Sequence, residues 1–485
     1  MWVVIIAMNI MMVSSETVPF SKSGGLADVV GALSKELAIL GNTVSVFMPL
    51  YGSIDASSFS EYARLRLPML GKTETVHVMR HQLDGVSYLA LSHPLFTGRS
   101  GIYGDTSFAP YPDNLYRFCL MCKAAVEIAR RDKVEILHAH DWTAGPAVYL
   151  AKEAGLRCRT VMTIHNLAYM GDFPRLDALR AAIRPSGRML SGSGLMRRVN
   201  FLKTGLEYAD RITTVSPSYA KEIQEPEQGC GIDWLLRQKA GILSGVINGI
   251  DTDEWDPEKD AFTSAHFSSK DLGGKARAKA EIQRQFGLDE DPDIPLVAMI
   301  SRLAEQKGFG PLLEGGQCTL ERLLEGGRCQ FIVIGTGDGR YEEKLRQIAS
   351  RHRNISVNIV FSQALSHVVE AGSDFFLMPS KYEPCGLNQM YSLRYGTLPI
   401  AHRTGGLRDT ITDLGEDPEH GDGFLFDNVY CDEIIQTVNR ALDFYRDKDA
   451  LHRARVNAMA CDFSWKKSAQ TYESIYKNAL GGNQT

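Results

Sequence analysis

Four short segments carry residue types at spacings that suit chemistry on an anion. Ser21-Lys22-Ser23-Gly24-Gly25-Leu26 sets a lysine and two glycines just ahead of a helical apolar pattern. Glycines let backbone N–H groups approach an anion, a helix N-terminus adds positive potential, and the Lys22 ammonium can neutralise a phosphate. A plain strand-to-helix turn explains the same pattern. Arg302 and Lys307 follow the apolar run Leu296 to Ser301. Two cations at the carboxyl end of a strand can offset charge on a diphosphate leaving group, work that a divalent metal often does. Taken singly they read as solvated surface charges; their place after a strand favours the functional reading. Lys381-Tyr382-Glu383-Pro384-Cys385-Gly386-Leu387 joins a strand to a helix, with Glu383 near the helix N-terminus and Gly386 freeing amides for an anion or sugar hydroxyls. Helix capping is the competing role for Glu383. Arg403-Thr404-Gly405-Gly406-Leu407 repeats the Gly-Gly-Leu pattern after the next strand.

Other clusters support less. Gly71-Lys72-Thr73 is not a Walker loop, because Arg66 stands where its leading glycine belongs. Gly335-Thr336-Gly337-Asp338-Gly339 follows a strand, but Arg340 and Ile355 occupy the positions where a dinucleotide fingerprint needs a glycine and an acid. That excludes NAD and leaves a phosphate or nucleotide turn open. His138, His140 and Asp141 lack a third histidine at ligand spacing, so structural or substrate-positioning roles outrank a metal. Asp251-Thr252-Asp253 resembles a D-x-D metal site, yet acidic turn residues explain it better. Cys119 and Cys122 lie on one helical pattern with no partner pair and read as core thiols. No metal and no cofactor are expected.

The elements that must position these residues alternate. Asn9 to Ser15 reads as a buried strand, followed by a helix over Leu26 to Leu40. Further strands are expected at Thr43–Met48, Glu135–Ala139, Thr160–Ile164 and Arg211–Val215. After Gly245 the rhythm resumes at Leu296–Ser301, Gln330–Ile334, Val357–Phe361, Asp374–Met378 and Leu398–Ala401. Short strands alternating with helical stretches predict parallel α/β sheets with crossover helices. The polar stretch Asp256 to Lys275 breaks the rhythm and reads as a linker between two Rossmann-like domains. Open α/β sheets bind ligands beyond the carboxyl ends of their strands, so the expected site lies in a cleft between the two.

Bulk properties agree. A chain of 485 residues exceeds what one hydrophobic core fills, so two domains are the default. A net charge of -5 and a pI near 6.2 argue against nucleic acid as a partner. The apolar start, Met1 to Val13, is too short to span a bilayer and lacks a signal peptide's flanks. Met8 is a candidate start. Nine scattered cysteines, an odd number, fit free thiols in a reducing compartment, the cytoplasm.

Together these segments resemble the bacterial glycogen synthase and plant starch synthase family. The resemblance runs nearly end to end: Lys22 to Val29, Tyr111 to Asn114, His138 to Trp142, Thr163 to Tyr169, Asn200 to Lys203 and Val246 to Asp251. It continues through Ser301-Arg302-Leu303, Lys307-Gly308, the Glu383 loop and Arg403 to Leu407. It implies a GT-B fold, with residues 1–247 as a first Rossmann-like domain, 248–460 as a second, and a helix within 461–485 crossing back to the first. It also implies glucose transfer, with anomeric retention, from ADP-glucose to the non-reducing end of an α-1,4-glucan such as glycogen.

Carried over by position, the resemblance gives Lys22 and Gly25 to the donor-phosphate loop that runs on to Asp28, and Arg302 and Lys307 to the diphosphate. It sets Glu383 near the donor sugar, with Cys385, Gly386, Leu387 and Thr404 in the flanking loops. The His165 carbonyl lies beneath the reacting sugar, and Asp141, Asn166 and Asn248 line the cleft. Three departures stand out. Ser23 replaces a threonine, Leu365 stands where some members stack a tyrosine on the base, and Tyr391 stands where related retaining transferases keep a second glutamate. A single carboxylate favours front-face displacement over a covalent intermediate. The rivals are a phosphorylase, which would carry pyridoxal phosphate, and a catalytically silent glucan or sugar-nucleotide binding protein.

Overall fold

A computed structural model of the chain describes residues 7–99, 101–105, 109–183, 186–191, 197–315 and 317–481. The chain divides into two compact units: one runs to Gly249 and resumes at Trp465, the other is Ile250–Ser464.

The first unit holds β1 (Asn9–Val13), β2 (Thr43–Pro49), β3 (Ser60–Met69), β4 (Lys72–Leu83), β5 (Val86–Ser92), β6 (Ile136–His140) and β7 (Arg159–Ile164). It also holds β8 (Asp172–Pro174), β9 (Leu190–Ser191), β10 (Arg198–Asn200), β11 (Arg211–Thr214) and β12 (Leu243–Gly245). One sheet has the order β12-β11-β7-β6-β1-β2-β5-β4-β3, and β8, β10 and β9 form a small sheet of their own. From β12 to β5 every pair is parallel. Strand β1 is almost wholly buried, as a parallel strand covered on both faces should be. The antiparallel β3–β4–β5 edge was not anticipated; β3 and β4 mix exposed, half-buried and buried residues, a weaker signal than an apolar run, whereas β5 is mostly buried. Gly71 turns its β3–β4 hairpin with φ +73°, which accounts for Gly71-Lys72-Thr73 without a nucleotide.

The terminal helix Trp465–Gly481 belongs to this first unit. Its Trp465, Ala469, Tyr472 and Tyr476 pack into one core with Met8, Ile10, Met12, Val29 and Leu33. Within the apolar stretch at the start of the chain, Asn9–Val13 is therefore a core strand; residues 1–6 lie outside the described residues.

The second unit holds β13 (Leu296–Ile300), β14 (Gln330–Ile334), β15 (Ile355–Asn358), β16 (Phe375–Met378), β17 (Leu398–His402) and β18 (Phe424–Phe426). Its sheet is parallel throughout, in the order β15-β14-β13-β16-β17-β18. Strand β15 starts and ends earlier than the apolar pattern Val357–Phe361 suggested, because Phe331 pairs with Ile355 and the Asn354 amide bonds the carbonyls of Leu324 and Cys329.

The expected linker Asp256–Lys275 is instead packed into the second unit. Asp260, 2% exposed, accepts from Tyr395 and bonds His367 Nδ1 at 2.9 Å. Just before it, Trp255 lies between the rings of His367 and Tyr391, with centroids 3.8 and 3.7 Å away. A polar composition hid a segment anchored by one buried carboxylate and one tryptophan.

Candidate active site

Each sheet reverses its strand order once, and the predicted residues gather at the reversals. In the first unit β1 lies between β2 and β6; in the second, β13 lies between β14 and β16. Such switch points open a crevice beyond the strand ends. The segment after β1 leads to the Lys22 loop, and β6 ends at His140-Asp141. After β13 come Arg302 and Lys307, and after β16 comes Glu383.

In the first unit the glycine loop is braced from within. Glu16, 2% exposed, accepts hydrogen bonds from the backbone N–H of Ser23 and, at 3.3 Å, of Gly24. Its other oxygen accepts from Ser23 Oγ at 2.9 Å and from the Tyr103 hydroxyl at 2.7 Å. The amides of Ser23 and Gly24 are thus held by a protein carboxylate. Gly25 opens the helix Gly25–Ile39 behind Gly24, which provides no side-chain cap. Lys22 is exposed and pairs at 2.8 Å with Asp28, a surface contact that a ligand can replace.

After β6 and β7 a second cluster forms. Asp141 has left-handed backbone, φ +55°, uncommon outside glycine, and its Oδ1 accepts from the backbone N–H of His165 at 2.8 Å. Burial pushes its acid up to about 7, despite the stabilising amides of His165 and Asn166. His165 Nε2 meets His140 Nδ1 at 3.0 Å, and burial lowers the His165 pKa to about 3. His138 is tied elsewhere, to Tyr476 and Thr163, so these histidines form a hydrogen-bonded core rather than a metal cluster. Asn166 Oδ1 accepts from Ala168 N at 3.0 Å, closing a local turn. Asn248 is 6% exposed, and its Oδ1 has no hydrogen-bond partner among the described residues.

In the second unit Glu383 is the centre. Its Oε2 meets Lys307 Nζ at 2.5 Å and accepts from Ser380 Oγ at 2.9 Å, while Oε1 accepts no hydrogen bond among the described residues. The helix that follows is Asn388–Arg394, whose N-cap residue Leu387 offers no side-chain bond, so Glu383 does not cap it. The Thr404 turn rests on the same loop: Gly406 N donates to the Glu383 carbonyl at 3.0 Å. A Cβ on Gly405 would stand 1.9 Å from that carbonyl, and one on Gly308 would stand 1.9 Å from the Pro379 carbonyl. Both glycines have positive φ, so loops from three strands close on each other only because these positions lack side chains. Buried Cys385 and left-handed Gly386 continue the loop, and Asn388 Nδ2 ties it to the Ile300 carbonyl at 2.6 Å. Arg302 is exposed.

The other cluster in this unit has a packing explanation. A Cβ at Gly335 or Gly337 would meet the carbonyl of Ser301 at 1.9 Å or of Leu303 at 2.3 Å. Asp338 caps the next helix through Arg340 N at 2.9 Å. These glycines permit close packing against the Arg302 loop, a reason for them that needs no nucleotide. Asp251 likewise closes a turn, accepting from Asp253 N at 2.9 Å and Glu254 N at 3.1 Å. All nine cysteines are free.

Sequence reasoning passed over Glu16, Tyr103 and Ser380. Glu16 was findable: it follows a strand at a switch point, the argument already applied to Arg302. Ser380, two residues past β16, carries the same signal; Tyr103 lies in a loop without one.

Residues 9–238 match the family profile described as the starch synthase catalytic domain, and residues 279–458 that of glycosyl transferases group 1. The chain is 42% identical to a glycogen synthase of Anaeromyxobacter sp. (strain Fw109-5), over 97% of this chain and 99% of that protein. It is also 42% identical to one of Myxococcus xanthus (strain DK1622), over 98% of this chain and all (100%) of that protein. Among solved structures, it is similar to the catalytic domain of starch synthase IV from Arabidopsis thaliana bound to ADP and acarbose. That likeness has a TM-score of 0.86 at 29% identity and covers 98% of this chain and 99% of that one. A sucrose-phosphate synthase of Thermosynechococcus elongatus aligns at TM-score 0.62 and 17% identity, over 98% and 100% of the two chains, a likeness of fold alone.

Proposed function

The chain belongs to the glycogen and starch synthase family, and on that premise we propose that it transfers glucose from ADP-glucose to the non-reducing end of an α-1,4-glucan with retention. Its fold is GT-B. The observation that carries the chemistry is Glu383, a nearly buried carboxylate with one oxygen on Lys307 and Ser380 and the other open.

In this reading Lys22, Arg302 and Lys307 are the cations assigned to the donor's diphosphate. The bond from the anomeric carbon to the diphosphate oxygen breaks, and cations at that oxygen offset the charge it gains. The acceptor hydroxyl attacks the same face as its proton passes to the departing oxygen. Glu383 and the His165 carbonyl stabilise positive charge on the sugar. Tyr391, at the place of a second glutamate, is stacked on Trp255, which supports a one-carboxylate mechanism. Cys385, Gly386, Leu387 and Thr404 offer contacts to donor oxygens; Asp141 holds His165; Asn166 and Asn248 offer amides to sugar hydroxyls. Nine free thiols favour the cytoplasm, and no helix among the described residues is long and apolar enough to cross a membrane.

Labelled glucose offered as ADP-glucose or UDP-glucose, with glycogen as acceptor, tests this directly. Incorporation from ADP-glucose, and α-anomeric product throughout, is the expected outcome. Binding of glycogen without incorporation from either donor would overturn it.

A further inference from the structure

The imidazoles of His140 and His165 meet where β6 and β7 end, with rings 5.3 Å apart and tilted by 30°. Their contact, Nδ1 of His140 to Nε2 of His165 at 3.0 Å, is a hydrogen bond only if one of the two nitrogens bears a proton. Burial keeps both rings neutral: it lowers His165 to about 3, and His140 well below its ordinary value with a smaller contribution from the neighbouring imidazoles. Each ring therefore has one N–H, and two arrangements are possible.

The other nitrogen of His140 decides between them. His140 Nε2 is buried and has no hydrogen-bond partner among the described residues. If His165 donated from Nε2, His140 would accept at Nδ1 and carry its own proton on Nε2, a buried N–H with nothing to receive it. If His140 donates from Nδ1, its Nε2 is only a bare lone pair. Orphaned buried N–H groups are the rarer defect in native proteins. His138 cannot rescue the first arrangement. Its ring lies 4.0 Å from that of His140, tilted by 35°, but its nitrogens are engaged by the Tyr476 hydroxyl at 2.7 Å and Thr163 Oγ1 at 2.5 Å.

We propose that His140 is a positioning residue that donates from Nδ1 to His165 and so holds His165 as its Nδ1–H tautomer. The second nitrogen of the half-buried His165 ring then carries the N–H, a donor suited to a hydroxyl or phosphate oxygen. Consecutive residues at the end of β6 thus hold both parts of His165, Asp141 its backbone N–H and His140 its ring. The kinetic consequence rests on the transferase reading; the tautomer does not.

The test is ¹⁵N NMR of the full-length enzyme labelled at histidine, with His165 assigned by its loss in His165→Asn. Multiple-bond ¹⁵N–¹H correlations report which ring nitrogen is protonated. The wild type should show His165 protonated at Nδ1. His140→Phe keeps a stacking ring without a donor and should move His165 toward Nε2–H, with kcat down about tenfold, the size of one hydrogen bond, at a near-normal melting midpoint. His140→Asn keeps a donor near the Nδ1 position and should retain the Nδ1–H tautomer and most of the turnover. An Nε2–H tautomer in the wild type would overturn the proposal, as would an unchanged Nδ1–H in His140→Phe. A tautomer change in His140→Phe with normal turnover supports the assignment and counts against a substrate contact by the ring.

Discussion

Glu16 and Glu383 each lie shortly past a strand at the switch point of their sheet, Glu16 after β1 and Glu383 after β16, and they are held in opposite ways. Glu16 spends both oxygens on two backbone N–H groups and two hydroxyls. Glu383 uses one oxygen, on an ammonium and a hydroxyl, and keeps the other open. A carboxylate saturated by backbone donors stiffens a loop and has nothing left for a ligand. One whose partner is a flexible lysine can share that partner with a phosphate and still meet a sugar. The first is a brace; the second is, on the function proposed, a working group.

The sharpest way to break that comparison is Glu383→Gln. Losing a preorganised charge in the site should lower kcat by roughly 10²–10³ and leave donor KM near its original value, because only transition-state interactions accelerate chemistry. Full turnover with a lowered melting midpoint would instead make Glu383 a structural partner for Lys307. Lys22→Ala comes next. One charge-assisted contact to phosphate is worth about 1.5–3 kcal/mol, so donor kcat/KM should fall roughly 10- to 100-fold with glycogen affinity intact. Unchanged ADP-glucose kinetics would remove this loop from the phosphates.

Glu16→Gln should separate brace from working group. An amide nitrogen would face N–H and hydroxyl donors, costing about 1–3 kcal/mol of stability by chemical denaturation. Donor KM should rise only a few-fold (~2–5) as the loop loosens. A collapse of kcat at unchanged stability would erase the distinction drawn here.

The smallest expected effect is in the pH dependence of stability. Burial opposes charge on His367, but its bonds to Asp260 and Glu254 outweigh that and push its pKa up to about 9 from 6.5. A raised histidine contributes stability that is full below the unfolded value and is lost as pH rises through the folded one. Asp141, raised from 3.8 to about 7, stabilises the fold while protonated, and its contribution is already gone above the higher value. Loss of melting midpoint between about pH 7 and 9 therefore belongs to His367 and to Glu370, which burial pushes up to about 8, and His367→Gln should make it shallower. An equal slope in the variant would contradict this.

Strands β1, β2, β6, β7, β11 and β13 to β17, with the loops after them, were legible in the chain because apolar runs and glycine clusters are local signals; the short β12 and β18 and the mostly buried β5 were passed over. Lys22, Arg302, Lys307 and Glu383 were found by one rule, that ligands bind past strand ends. Strands β3 and β4 were not legible, because they mix exposed and buried residues and carry no continuous apolar run. Nor was the packing of Asp256–Lys275, which depends on Asp260 meeting His367 and Tyr395, both more than a hundred positions along the chain. The sequence by itself determined which residues stand at strand ends and hence where chemistry is possible. Only the tertiary structure decided what each does there, because the partner that makes Glu16 a brace, Glu383 a working group and His140 a proton donor comes from another loop. Spacing along a chain does not encode which loops meet; packing of the sheet between them does.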